Sequence, residues 1–304
     1  MLALDLVKLT PLMQRTSGSP ALKIGLIDGP VATRHPNLSN QRLLEISGNG
    51  GGSCTQVTST ACLHGTFVVG ILSATRDSPA PAICPDCTVL IRPIFAEATS
   101  GHEQMPSATP QELAAAIIEC IDSGARVINL SLALVQSSGK GEQPLEAALN
   151  EAVRRRVIVV AAAGNQGTLG SSVITRHPWV IPVVACDRIG RPISESNLGG
   201  SIGRRGLSAP GAGITSLGIA GRPLTLGGTS VAVPFVTGAI ALLWSEFPTV
   251  NAAQIKSAVT QVHQPRQASV VPPLLNGEAA YQSLSATYVR GDTHGQSKTT
   301  PASA

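Results

Sequence analysis

Apolar positions along the chain fall into two alternating patterns. Short runs of Val, Ile, Leu and Ala predict strands over residues 23–28, 88–94, 126–132, 157–162 and 180–185. Between them, the segments 65–74, 110–123 and 142–155 repeat their apolar residues at helical spacing. The strand runs are apolar throughout instead of alternating with polar residues, as expected of strands covered on both faces. The alternation predicts an α/β fold of three layers, with a mostly parallel central sheet flanked by helices. Two later helices are expected over 229–246 and 251–262, with Asn251 placed to cap the second. Residues 1–20 read as an N-terminal extension, 21–283 as the folded domain, and 284–304 as a disordered tail rich in Ser, Thr, Gly and Lys. The Arg290-Gly291-Asp292 tripeptide in that tail is read as a chance occurrence.

Composition narrows the class. With 43% hydrophobic and 13% charged residues and a mean hydropathy of +0.20, a wholly disordered chain is excluded. The longest purely apolar run, 157–163, falls far short of the about 20 residues of a membrane-spanning helix. The apolar stretch 231–244 is interrupted by Pro234, Thr237 and Gly238. Aromatic residues make up only 3%, so the core is expected to be small and aliphatic, packed around 31 glycines. The net charge of +4 is thinly spread. Its densest clusters, Arg154-Arg155-Arg156 and Arg204-Arg205, lack neighbouring aromatics, so they read as solvated surface and no nucleic-acid partner is expected. Residues 1–20 hold Asp5, Lys8 and Arg15 and no apolar signal segment, which points to work in the cytoplasm, with a secreted mature form as the alternative.

Six cysteines leave several states open. Cys120 and Cys186 read as buried free thiols. Cys54 and Cys62 form a C-x7-C pair and Cys84 and Cys87 a C-x2-C pair, for which free thiols, disulfides and a four-thiolate zinc site all come into question. A reducing compartment and the lack of a zinc-ribbon spacing favour free thiols.

Three segments join a reactive side chain to glycine-rich backbone. Ile24-Gly25-Leu26-Ile27-Asp28-Gly29-Pro30 places a carboxylate at a strand end. Leu63-His64-Gly65-Thr66 places a histidine at a helix start. Gly227-Gly228-Thr229-Ser230 places a serine at a helix N-terminus. Active sites of open α/β sheets lie at the carboxyl ends of the strands and the adjoining helix starts, where these three could meet. Together they supply an orienting carboxylate, a general base and a nucleophile. Singly, each has an ordinary reading as a turn cap, a structural histidine or an N-cap.

These segments resemble the subtilisin-type (subtilase) serine proteases. The likeness rests on Asp28 with His35-Pro36-Asn37-Leu38 downstream, on His64-Gly65-Thr66, and on Val127-Ile128-Asn129-Leu130-Ser131-Leu132. It rests also on Ala161-Ala162-Ala163-Gly164-Asn165-Gln166-Gly167 and on Gly228-Thr229-Ser230 with Pro234, and it spans about residues 21–262. The resemblance implies a subtilisin-like fold and a serine endopeptidase in which Ser230 attacks, His64 relays the proton and Asp28 orients the imidazole. It implies that Asn165, which alone reads as a turn residue, donates its amide to the oxyanion. It implies substrate contacts at Ser131, Leu132, Ala133, Leu134 and Gly164, and a peptide or protein as partner. Within the family, Leu26-Ile27-Asp28-Gly29-Pro30-Val31, Asp77-Ser78-Pro79 and the run from Cys87 to Phe95 look like proteases that mature cyanobactin-type peptides. That implies limited processing of a precursor, with bulk degradation or an inactive peptide-binding module as alternatives.

The chain also departs from the family. Phe67 and Phe235 stand where histidines are usual, and neither position belongs to the triad. Ala133 and Leu134 replace the usual glycines of the substrate-binding strand, so small or medium side chains are expected before the cleaved bond. Residues 75–87 offer only Asp77 and Asp86 where many subtilisins hold calcium, and no metal or other cofactor is expected. No folding propeptide is expected ahead of the domain, a second pointer to the cytoplasm. An α/β-hydrolase esterase is excluded by the order of the three residues and the missing G-x-S-x-G elbow.

Overall fold

The computed structural model describes residues 3–46, 54, 56, 58–95, 108–132, 141–219, 221–260 and 269–295. Two short helices, α1 (Ala3–Leu6) and α2 (Thr10–Arg15), precede β1 (Lys23–Asp28) and β2 (Leu43–Glu45). Then follow α3 (Thr60–Ser73), β3 (Thr88–Pro93), α4 (Pro110–Asp122), β4 (Val127–Leu130), α5 (Gln143–Arg154) and β5 (Ile158–Ala162). The chain continues through α6 (Val173–Arg176), β6 (Ile181–Cys186), α7 (Gly200–Arg205) and β7 (Leu207–Pro210). A hairpin of β8 (Ile214–Leu217) and β9 (Pro223–Leu226) leads into α8 (Thr229–Glu246), then α9 (Ala252–Thr260) and α10 (Gly277–Gly295).

The seven-stranded sheet has the order β2-β3-β1-β4-β5-β6-β7, and every pairing in it is parallel. Both faces are covered, which explains the continuous apolar strands. In β5, Ile158, Val160 and Ala162 join the core cluster built with α3 and α8, while Val159 and Ala161 join the one built with α4 and α5. The period-2 geometry of the strand is intact; both of its faces are simply apolar. This is the three-layer architecture the sequence implied.

Helix α8 runs through the larger core. It is long and apolar enough to cross a membrane, yet all of it from Val231 to Trp244 is buried against protein. Helices apolar on every side are found in such positions.

The differences from the sequence expectation lie at the edges. Residues 1–20 are no loose extension: Val7, Leu9 and Leu12 are fully buried, and the Gly277 N–H donates to the Val7 carbonyl at 2.9 Å. The Arg15 guanidinium sits 4.4 Å from the centre of the Tyr281 ring, and Val7, Leu9 and Leu12 share one core cluster with Ala280 and Leu284 of α10. The segment from residue 284 continues α10 to Gly295, with Leu284 buried. Helix α3 starts at Thr60, earlier than expected, because the Ser59 hydroxyl accepts the Cys62 N–H and caps it.

Candidate active site

Asp28, His64 and Ser230 stand at the carboxyl ends of the central strands, each held by a different device. Asp28 ends β1 and is 1% exposed. Its Oδ1 accepts the Gly29 N–H at 2.6 Å and lies 2.7 Å from His64 Nδ1. The His64 Nε2 is 2.9 Å from Ser230 Oγ. With its Nδ1–H donated to the carboxylate, His64 presents Nε2 as an acceptor to the serine hydroxyl. Burial works against a charge on His64. The Asp28 charge and hydrogen bond outweigh it and hold the imidazole pKa above the ordinary histidine range.

The approach of α3 to β1 depends on two glycines. A side chain on Gly29 would overlap the Ala61 carbonyl, and one on Gly65 would overlap the carbonyls of Gly29 and Pro30. The Thr66 hydroxyl accepts the Ala32 N–H at 2.9 Å and ties the loop after Asp28 to the same helix.

Ser230 is the second residue of α8, whose N-cap, Gly228, has φ 122°. No side chain of that N-cap closes the first turn; Asn165 does so from outside. Its Oδ1 accepts both the Thr229 N–H at 2.8 Å and the Thr229 hydroxyl at 2.9 Å. With the carbonyl oxygen so engaged, what Asn165 offers a ligand is its Nδ2–H, beside Gly228. Gly164, at φ 107°, donates its N–H to the Thr229 hydroxyl at 3.3 Å, so the Asn165 turn and the Ser230 turn are pinned to each other. Behind the turn, Asn197 Oδ1 accepts from Gln166 N at 3.0 Å and from Thr168 N at 3.1 Å.

Ser131 and Leu132 continue β4 and are buried. The Ser131 hydroxyl donates to the Ser230 carbonyl at 3.1 Å. Ala133 and Leu134 lie outside the described residues. A cavity of about 780 Å³ is walled by residues 31–36, Glu45, Cys54 and the hairpin tip at Ile219 and Gly221. Cys54 is disulfide-bonded to Cys62, at the start of the helix that bears His64. Cys84, Cys87, Cys120 and Cys186 are buried free thiols, and burial pushes Cys120 and Cys186 up to about 12. Among the described residues no three metal-ligating side chains come together.

Thus the structure brings Asp28, His64, Ser230, Asn165, Gly164, Ser131 and Leu132 to one end of the sheet. In the sequence Thr229 stands out only as part of the Gly228-Thr229-Ser230 motif. Its bonds to Asn165 and Gly164 show what the Thr next to the serine does.

The sequence profile of the subtilase family, peptidase type S8, matches residues 19–277. The chain belongs to the subtilase family. Subtilases are serine endopeptidases, and the relatives agree. Subtilisin DY of Bacillus licheniformis is 28% identical over 79% of this chain and 82% of its own length. A thermophilic serine proteinase of Bacillus sp. strain AK1 is 33% identical over 81% of this chain. A thermostable alkaline protease of Halalkalibacterium halodurans is 31% identical over 65% of it. The chain spans 57% and 51% of the lengths of these last two. Among solved structures, the protease domain of PatA superposes with a TM-score of 0.80 at 29% identity, covering 89% of this chain and 97% of PatA's domain. The prenylagaramide maturation protease PagA gives 0.77 at 28%, covering 91% and 98%. The subtilase's narrower likeness to peptide-maturation proteases, read from short motifs, therefore extends over the whole fold.

Proposed function

We propose that this subtilase cleaves peptide bonds through an acyl-enzyme on Ser230 and that its task is the limited processing of a peptide precursor. The observation that carries the reading is the unbroken chain from Asp28 Oδ1 through His64 to Ser230 Oγ, at 2.7 and 2.9 Å. His64 Nε2 takes the hydroxyl proton as Oγ attacks the carbonyl carbon, and Asp28 stabilises the imidazolium that forms. The negative charge gathers on the carbonyl oxygen, to which Asn165 Nδ2–H and the Ser230 backbone N–H donate. His64 then protonates the departing amine, and water, activated by the same base, releases the acyl group. An extended substrate laid beside Ser131 and Leu132 gains backbone hydrogen bonds whatever its sequence, so selectivity falls to the side-chain pockets.

The processing role rests on the likeness to the PatA protease domain and to PagA, a maturation protease by name. Mass spectrometry of the products tests it. Incubated with a precursor peptide encoded beside its gene, the enzyme should cut at one or two bonds and leave casein largely intact, and the Ser230→Ala protein should cut neither. Extensive degradation of casein at a rate matching the precursor would make it a degradative protease.

A further inference from the structure

The carbonyl of Ser230 has lost its usual partner. In a regular helix it would accept from the N–H four residues on, but that residue is Pro234, inside α8, which has no N–H. A proline ring also crowds the carbonyl one turn before it and turns it outward. The donor that replaces the missing amide is the Ser131 hydroxyl, 3.1 Å away at the end of β4. Ser131 is itself held: Asn129 Nδ2 donates to its oxygen at 2.7 Å. Asn129 is held in turn, because the Thr237 hydroxyl donates to its Oδ1 at 2.9 Å. Thr237 lies two turns further along α8. All three side chains are buried, Asn129 and Thr237 at 0% and Ser131 at 3% exposure.

We propose that Thr237, Asn129 and Ser131 form a positioning relay that takes over the hydrogen bond Pro234 removes and holds the Ser230 turn where His64 can reach it. The donors all point one way. Thr237 gives its hydroxyl hydrogen to Asn129, Asn129 gives an amide hydrogen to Ser131, and Ser131 is left with one hydrogen for the Ser230 carbonyl. The relay therefore closes a loop from α8 through β4 back to α8, so the nucleophile's turn is referenced to the sheet that carries Asp28. None of the three touches the reacting atoms through its side chain. Their effect on catalysis runs through the position of Ser230 Oγ, to which rates respond steeply. Ser131 thus has two separable parts: a backbone that can pair with substrate and a hydroxyl that serves the enzyme's own helix.

This rests on Ser230 being the nucleophile, and the test keeps the two apart by counting active sites with a fluorophosphonate first. Ser131→Ala should lower kcat per labelled site about tenfold, the worth of roughly one hydrogen bond, with KM unchanged within about twofold. In a Pro234→Ala background the residue at 234 regains an N–H for the Ser230 carbonyl, and there Ser131→Ala should change kcat by no more than about twofold. Thr237→Val should lower kcat about three- to fivefold, and Thr237→Ser, which keeps the hydroxyl, should restore it. An equal loss from Ser131→Ala with and without Pro234, a rise in KM at constant kcat, or a Thr237→Ser protein as slow as Thr237→Val would each overturn the relay. Absence of labelling in the parent enzyme would instead overturn the reading of Ser230.

Discussion

Helix α3 reaches the active site through backbone contact, whereas helix α8 reaches it through side-chain hydrogen bonds. Against β1, α3 is stopped by Gly29 and Gly65, where any side chain would overlap a carbonyl. The first turn of α8 is suspended from Asn165, Gly164 and Ser131 by way of the Thr229 amide and hydroxyl and the Ser230 carbonyl. The difference follows from the jobs of the two residues. His64 must stay fixed against a buried carboxylate, and steric contact does most of that, with the Thr66 hydroxyl as the one side-chain hydrogen bond described between α3 and the loop after Asp28. In the mechanism proposed, Ser230 must sit beside donors aimed at a transient oxyanion, and the same hydrogen bonds that hold its turn would also orient those donors. Each mode fails in its own way, which makes the contrast testable.

The largest effect should come from the nucleophile itself. Ser230→Ala should reduce kcat by about 10⁴–10⁶, the upper figure being the loss seen for the triad serine of subtilisin, with folding unchanged by circular dichroism. Asp28→Asn should cost about 10⁴ at neutral pH, since the imidazole loses the partner that sets its tautomer. The same variant reports on the charge. In the parent enzyme the raised His64 pKa should put the acid limb of kcat/KM above about 6.5. Without the carboxylate only burial remains, so the limb should move to lower pH; a limb that stays in place would show that Asp28 does not set the His64 charge. By linkage, the charged His64–Asp28 contact should contribute its full stability below the unfolded histidine pKa of about 6.5 and lose it as pH rises through the folded value.

On the α8 side, Asn165→Ala should lower kcat about 10²–10³, the range found for the equivalent change in subtilisin, at nearly constant KM. A higher KM at constant kcat would make Asn165 a substrate-binding residue instead. On the α3 side, Gly65→Ala should act differently: it should destabilise the fold by about 1–3 kcal/mol in urea titrations and lower kcat at least about tenfold as His64 is pushed from Asp28. Equal stability with full activity would show that the helix yields easily and that the steric account of α3 is wrong.

Most of this site could be read from the sequence because its residues sit in motifs whose glycines are part of the geometry. The Asp28, His64, Asn165 and Ser230 segments each carry one. The five inner strands of the sheet, β3, β1, β4, β5 and β6, were visible for a similar reason: buried on both faces, they are largely apolar runs. What escaped notice was short or polar. β2 is three residues, Leu43–Glu45, and mostly exposed, and β7 is Leu-Ser-Ala-Pro. The N-terminal helices were hidden because Val7, Leu9 and Leu12 bury themselves against α10 and α8, elements far along the chain. The relay under Ser230 escaped for the same reason. Asn129 and Thr237 become partners only when β4 and α8 pack together, and no local pattern marks such a pair.

The smallest expected effect concerns selectivity. Ala133→Gly combined with Leu134→Gly should raise the rate on peptides with Phe or Tyr before the cleaved bond by about tenfold, while the parent prefers small or medium residues there. A peptide library varied at that position checks both halves. A parent enzyme that already prefers Phe or Tyr would remove the idea that these two side chains narrow the pocket.

The most direct measurement of the account is intact-protein and peptide mass spectrometry after treatment with a fluorophosphonate. If the Asp28–His64–Ser230 chain activates the hydroxyl, the parent enzyme should gain a single adduct, localised to Ser230, at a rate that rises with pH as His64 loses its proton. His64→Ala should then label far more slowly and Ser230→Ala not at all. An adduct on another residue, or equal labelling in the His64→Ala protein, would contradict the account.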